Sequence, residues 1–318
     1  MRTLSYTVPP EDGGRLLRRL VRGRMGVSQH MFSSLKVSGG VTVDGVPARA
    51  DQAIRAGQVI ELTLEDAPSE IEPDPAPVDV VYEDEDILIV NKPAPLPCQS
   101  SSRQGGMALE NRLAARYGVR YVFRPVNRLD KGTSGLMAVA KHAHSQMLLS
   151  RMLHTDRCVR EYLAVVVGRP PEAEGVVDAP IAKAPGATVR REVSPDGKPA
   201  RTRYRLLAER GGLSLVRLRL ETGRTHQIRV HMRYLGCPVW GDFLYGTEVP
   251  ELPGRFALHS WRLTLDHPMT GAPLSFEAPL PPEFGAWGEA MGTPGMTPGA
   301  LPPDPCQEAA PPGPGTKG

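Results

Sequence analysis

Apolar residues fall at helical spacing near the start of the chain and at strand spacing through most of its middle. Leu16, Leu17, Leu20 and Val21 share one side of a predicted helix, and Arg15, Arg18, Arg19 and Arg22 share the other. Ser28 is placed to cap a second helix whose buried face carries Met31 and Leu35. Val41–Val43, an Asp44-Gly45 turn and Val59–Leu62 read as short strands with a hairpin-type turn. An edge-like strand from Val80 and a buried strand at Ile87–Val90 follow, the latter ending at Asn91-Lys92-Pro93. Gly135–Lys141 reads as a buried strand, His142–His154 as a helix and Arg160–Gly168 as a strand. Residues 194–207 and 213–223 alternate as antiparallel strands. Thr225 as cap and Gly236 as stop bracket a helix over His226–Leu235, with Ile228, Met232 and Leu235 facing inward. Strands and helices alternate irregularly, with no βαβ series.

Charge divides this pattern into units. Residues 65–86 hold ten acids and no lysine or arginine, so the rest of the chain sets 38 cations against 25 acids, an excess of 13. Such an excess favours a polyanionic partner, although a solvated basic surface explains it as well. Residues 1–64 form a basic unit with nine lysines and arginines against five acids. Pro68, Pro73, Pro75 and Pro77 make residues 65–79 an extended acidic spacer, expected to let the first 64 residues move independently. A second, larger domain is expected over residues 80–284. Residues 292–318 contain 14 glycines and prolines, so a disordered tail is expected from 285 to 318.

Composition excludes several classes. Of 318 residues, 40% are apolar and no run of about 18 apolar residues occurs, so no membrane helix is expected. The first residues lack the apolar stretch of a secretory signal. Cys98, Cys158, Cys237 and Cys306 lie far apart without metal spacing, so neither a disulfide framework nor a metal site is expected. These features point to a reducing cytoplasm.

Three segments carry candidate chemistry. Arg128-Leu129-Asp130 and Thr133-Ser134-Gly135-Leu136 place Asp130 on a polar loop delivered onto a buried strand. An Asx-turn aspartate satisfying its own backbone is the bland alternative. Tyr162, in Arg160-Glu161-Tyr162, faces either a cleft or the core. Arg224-Thr225-His226-Gln227-Ile228-Arg229 leads into the last helix, where Arg229 and Arg233 lie one turn apart. Arginines there can hold a phosphate or fix a carboxylate. Lys92 is either a phosphate ligand or a solvated residue ending its strand. Arg201, Arg203 and Arg205 alternate along one strand face, as a plain polar face also would.

Taken in order, these three segments closely resemble the signatures of the RluA family of RNA pseudouridine synthases, with supporting matches at Glu83–Asp86, Asn91-Lys92-Pro93, Leu258-His259 and His267-Pro268. The similarity runs from about residue 80 to 284. Residues 12–62 also resemble the alpha-L RNA-binding module of a ribosomal small-subunit protein. Three positions depart from these patterns: Gln29 stands where the module usually has arginine, Asn127 where the synthases more often have histidine, and Arg160 where they often have lysine.

The resemblance implies an α+β fold with a long, bent, mainly antiparallel sheet and a central RNA-binding cleft. It implies an isomerase that needs no cofactor. The reaction breaks the bond from ribose to the base nitrogen, rotates the uracil and rejoins it through carbon 5. Asp130 would attack or deprotonate the nucleoside, Arg229 would keep it ionised, and Tyr162 would lie against the uracil. Arg128 would fill the gap left by the flipped uridine, and Arg224 and His226 would bind substrate. Arg15, Arg18, Arg19 and Arg22 would bind RNA. Ribosomal RNA of the large subunit is the expected target ahead of transfer RNA, and a monomer is expected. A non-catalytic ribosome-assembly factor keeping the same fold is the rival reading, which loss of Asp130 would have signalled. An RNA methyltransferase would need a glycine-rich cofactor loop that the chain does not show.

Overall fold

The computed structural model describes residues 2–66, 70–100, 107–118, 120–153, 155–285 and 287. The N-terminal elements are β1 (Arg2–Thr7), α1 (Leu17–Gly23), α2 (Gln29–Val37), β2 (Val41–Val43), β3 (Val46–Pro47) and β4 (Val59–Leu64). The strands form one sheet in the order β1-β4-β2-β3. Asp44 and Gly45 both take positive φ, 51° and 77°, which closes the two-residue hairpin between β2 and β3. Ser28 Oγ accepts the Met31 backbone N–H at 3.2 Å and caps α2. The buried face of that helix differs from expectation: Phe32 and Leu35 are buried, while Met31 is only partly so. β1 escaped the pattern because its partner, β4, lies more than fifty residues away in sequence.

The larger part comprises β5 (Asp79–Glu83), β6 (Ile87–Lys92), α3 (Leu109–Tyr117), β7 (Ser134–Ala140), α4 (Ala143–Met152), β8 (Cys158–Val167), β9 (Glu174–Asp178), β10 (Ile181–Lys183), β11 (Arg191–Val193), β12 (Arg201–Arg210), β13 (Leu213–Leu220), α5 (Gln227–Tyr234), β14 (Leu258–Asp266) and β15 (Pro273–Glu277). Nine strands form one sheet in the order β5-β6-β7-β14-β8-β13-β12-β9, with β15 beside β14. Only the β7–β14 pairing is parallel. The class is α+β with a mainly antiparallel sheet, as expected. At the parallel pair the chains approach so closely that a Cβ on Gly135 would lie 2.2 Å from the Ser260 carbonyl oxygen. Gly135 also takes φ +105°, so glycine is required there on two counts.

Strand alternation sorts the two faces of the sheet. Tyr162, Ala164 and Val166 of β8 point to one side, where Leu109 and Leu113 of α3 and Ile228 and Met232 of α5 complete a core. Leu163 and Val165 point to the other, against Trp261, Phe284 and Trp287. The period-two pattern thus puts Tyr162 on the same side as α5.

Two expected boundaries need correction. The acidic segment 65–79 is not a free spacer, apart from residues 67–69, which lie outside the described residues. Asp66 accepts a forked pair of bonds from Arg124, and Glu65 pairs with Arg120. Arg112 binds Asp74 at 3.2 Å, Asn111 donates to the Glu72 carbonyl at 2.8 Å, and Ile71 packs against the core. Asp79 already belongs to β5. The acids serve as partners for cations on the large domain, which local composition could not reveal. The N-terminal unit is tied as well: Arg2 pairs with Glu85 and Asp86, and Met269 packs against its core. The expected tail cannot begin at 285, because Trp287 is 5% exposed in the core with Phe284. The rest of that tail lies outside the described residues.

Candidate active site

A cleft of about 790 Å³ opens on the Tyr162 side of the sheet, and the three sequence segments meet in it. The first contributes the loop between residues 127 and 133. Leu129 is buried in the core, and Arg128 and Asp130 on either side of it line the cleft. Asn127 anchors its start, Oδ1 accepting the Ala138 N–H at 2.9 Å, so the residue that departs from the family pattern stitches the loop to β7. The Asp130 carbonyl accepts Thr133 N–H, and Cys98 donates its thiol to the Leu129 carbonyl at 3.1 Å.

Lys92 does neither of the things its sequence position suggested. It is fully buried, and its Nζ donates to the carbonyls of Pro93 at 2.9 Å, Leu96 at 2.7 Å and Lys131 at 3.5 Å. Leu96 N–H also donates to the Lys131 carbonyl. The lysine therefore pins the segment after β6 to the residue that follows Asp130. Burial pulls its ammonium down from 10.5 to about 8.

The third segment reaches the cleft through a turn unlike the one expected. His226, not Thr225, is the cap of α5, and it sits in left-handed conformation at φ 59°. Gln227 staples the turn: Oε1 accepts Thr222 Oγ1–H and Arg224 N–H, while Nε2 donates to the Arg201 carbonyl and Thr202 Oγ1. His231 bonds Thr202 and the Ala179 carbonyl and is wholly buried. Gln227 and His231 therefore hold α5 against β12. Arg229 and Arg233 do not act as a pair. Arg233 is exposed and donates to the Tyr245 carbonyl at 2.7 Å, whereas Arg229 is 3% exposed.

Arg229 is the centre of the site. Its Nη1 donates to Asp130 Oδ2 at 3.0 Å. Its Nε and Nη2 fork onto Asp242 at 2.7 and 2.8 Å. The guanidinium lies 4.1 Å from the Phe256 ring centroid and 5.0 Å from that of Tyr245. Asp242 is fully buried, and its Oδ1 also accepts the backbone N–H groups of Leu244 and Tyr245. Sequence reading missed Asp242, Tyr245 and Phe256. They lie in loops without periodicity, and only the run Gly241-Asp242 before two aromatics hinted at a fixed turn.

The remaining expected residues line the same cleft. Tyr162 is 4% exposed, and burial raises its hydroxyl above the ordinary value while the Arg160 cation opposes the rise. His226 Nδ1 shares a hydrogen bond with the Tyr245 hydroxyl at 2.8 Å, and Nε2 stands 3.9 Å from Asp130. Burial lowers its pKa below the ordinary value, while the Asp130 charge opposes the shift. Arg224 lines the cleft with Nε on the Pro199 carbonyl. Arg128 is exposed and has no ion pair among the described residues. Arg201, Arg203 and Arg205 instead pair with Glu221, Asp178 and Glu174, forming a charged strand face. Arg18, Arg19 and Arg22 lie outside the cleft on the exposed side of α1, and exposed Arg15 lies just before that helix. The carboxylate, cation and aromatic ring are thus brought together from loop 127–133, α5 and β8.

Residues 86–234 match the family model for RNA pseudouridylate synthase. Over 293 residues the chain is 43% identical to an RNA pseudouridine synthase of Chloroflexus aurantiacus, covering 87% of this chain and 90% of that one. The chain belongs to the RNA pseudouridylate synthase family. It is an enzyme that isomerises uridine in RNA. It is also 38% identical over 273 residues to the ribosomal large subunit pseudouridine synthase D of Nitrosomonas europaea, covering 79% of this chain and 76% of that one. The solved structure of Human RNA Pseudouridylate Synthase Domain Containing 1 superposes with a TM-score of 0.53 at 28% identity, covering 67% of this chain and 86% of that one.

Asp242→Ala strands the buried Arg229 charge and should cost about 3–5 kcal/mol, read as a fall in the urea unfolding midpoint. An unchanged midpoint would show that Asp130 and the aromatic rings suffice for Arg229. Lys92 makes a prediction about pH. From pH 8 to 10.5 the unfolded chain holds the Lys92 proton while the folded chain releases it, so folding gains stability as pH rises. Relative to Lys92→Met, the wild type should gain up to about 3 kcal/mol across that window. Parallel stability curves for the two proteins would refute this account of Lys92.

Proposed function

We propose that the chain makes pseudouridine in ribosomal RNA of the large subunit, with Asp130 as the reacting carboxylate, Arg229 holding it and Tyr162 beneath the uracil. The observation that carries this reading is the 3.0 Å contact from Arg229 to Asp130 at the cleft that Tyr162 lines. Isomerisation exchanges one glycosidic bond for another. The bond from ribose to nitrogen 1 breaks, a bond to carbon 5 forms, the carbon-5 proton leaves and nitrogen 1 gains a proton. No oxidant or group donor is consumed. A carboxylate can attack or deprotonate only when ionised, and Arg229 Nη1 donates a charge-assisted hydrogen bond to it at 3.0 Å. A neutral Tyr162 can stack on the base and, directly or through water, assist loss of the carbon-5 proton. The uridine must first leave its stack at a cost of about a few kcal/mol, and Arg128 is free to occupy the gap. Arg224 and His226 bind the substrate from the rim of the cleft.

The ribosomal assignment draws on the relative named for the large subunit and on the basic N-terminal unit. Arg18, Arg19 and Arg22 are exposed and without ion pairs among the described residues, whereas Arg15 meets Asp12 at 3.3 Å. In this reading residues 1–64 act as an alpha-L type RNA-binding module and residues 80–284 as the catalytic unit. Cys98, Cys158 and Cys237 are free thiols, which suits a monomer working in a reducing cytoplasm.

Mapping pseudouridines in the RNA of a deletion strain and its parent tests the target. Sites should vanish from large-subunit ribosomal RNA, and sites lost from transfer RNA alone would overturn the assignment. Restoring the gene with Asp130→Asn should return none of them, and the purified variant should lose more than about 10⁴-fold in single-turnover rate. A near-normal rate would end the proposed role of Asp130. Replacing Arg18, Arg19 and Arg22 together by glutamine should flatten the slope of log affinity against log salt by about 0.9 for each lost duplex contact. An equal slope would remove the module from RNA binding.

A further inference from the structure

The cleft wall holds a guanidinium that the reaction described above does not use. Arg160 precedes Tyr162 by two residues on β8, so strand alternation turns it to the same side of the sheet. It is 3% exposed and lines the cleft. An arginine offers five N–H donors. Among the described residues one of these has a partner, Nη2, on the Leu153 carbonyl at a long 3.4 Å. Nε has none. Nη1 lies against Gly223, where an added Cβ would stand 3.0 Å away.

A buried cation without a counter-ion costs several kcal/mol. The adjacent acid does not supply one: Glu161 faces the other way and accepts Arg217 at 3.0 Å. Among the described residues the cleft is lined by five cations, Arg128, Lys131, Arg160, Arg224 and Arg229, and one carboxylate, Asp130. That carboxylate is already held by Arg229. No anion among the described residues meets this charge, and the guanidinium fork suits the two unbridged oxygens of a phosphodiester. Bare backbone at Gly223 keeps the opening beside Nη1 clear.

We propose that Arg160 is the ligand of one RNA backbone phosphate flanking the target uridine, held while the base lies over Tyr162. This rests on the target uridine entering at Asp130. The competing role is structural, a cap on the C-terminal carbonyls of α4, for which the one long bond to Leu153 is the support.

The full-length wild type, Arg160→Gln and Arg160→Lys are titrated with a short RNA carrying a mapped target uridine. The same RNA is also made with a neutral methylphosphonate at each flanking linkage in turn. Arg160→Gln should weaken binding about 10- to 100-fold and lower the salt slope by about 0.7, the value for one single-strand phosphate. One methylphosphonate should weaken the wild type comparably, and that RNA should bind the wild type and Arg160→Gln alike, because both changes remove the same contact. Arg160→Lys should recover part of the affinity, and it carries the same comparison if Arg160→Gln does not fold. Additive losses at every linkage, or a lowered melting temperature with unchanged affinity and salt slope, overturn the assignment in favour of the α4 cap. Turnover of the unmodified RNA by the wild type and its loss in Asp130→Asn report on the site reading separately.

Discussion

A single buried positive charge organises this active site. The Arg229 guanidinium is cut off from water between Phe256 and Tyr245, so its charge has to be compensated by groups the fold brings to it. Asp242 meets two of its N–H groups and is itself held by two backbone amides. The third edge remains for Asp130. The Asp130 carboxylate is therefore aimed by a cation that cannot itself turn away, because turning would leave Asp242 unpaired in a dry interior. Preorganisation of this kind lets the site meet its substrate with the charge already in place.

The same constraint demands that Asp130 arrive from the other direction with little freedom. Loop 127–133 has no regular structure, yet it is fastened at nearly every step. Asn127 binds β7, Cys98 holds the Leu129 carbonyl, and Lys92 with Leu96 holds the Lys131 carbonyl. A buried lysine directs its charge at three carbonyl oxygens here, and burial pulls its pKa down as it disfavours the ammonium. The parallel β7–β14 contact, tight enough to exclude a side chain at Gly135, fixes the strand into which the loop runs. Rigid support is what allows an irregular loop to carry a reacting group.

Electrostatics outside the site follow a simple division. Acids of the 65–86 stretch are drawn into pairs with Arg2, Arg112, Arg116, Arg120, Arg124 and Lys141. The cleft and the outer side of α1 keep cations without such partners. A near-neutral chain thus presents positive charge where a polyanion approaches, and the acidic segment binds its two parts together instead of separating them.

How much of this was legible in the sequence depended on the range of each interaction. Local periodicity determined the strands at 87–92 and 134–140, the α1 and α2 helices and the tight turn at Asp44-Gly45, because these obey spacing rules inside one segment. The motif segments singled out Asp130, Tyr162 and Arg229, which the structure brings to one cleft, whereas whether Tyr162 faced the cleft or the core stayed open until the sheet was in view. The sequence could not show that Arg229 needs Asp242, that Lys92 is buried, or that residues 65–79 dock. Each of these depends on a partner far along the chain and on whether water reaches the pair. Charge, burial and distance become specific only once the sheet has closed and brought loop 127–133, α5 and the Asp242 turn to one place. That is why the tertiary structure alone showed how Arg229 is fixed between Asp242 and Asp130, and which other cations of the cleft have no acid beside them among the described residues.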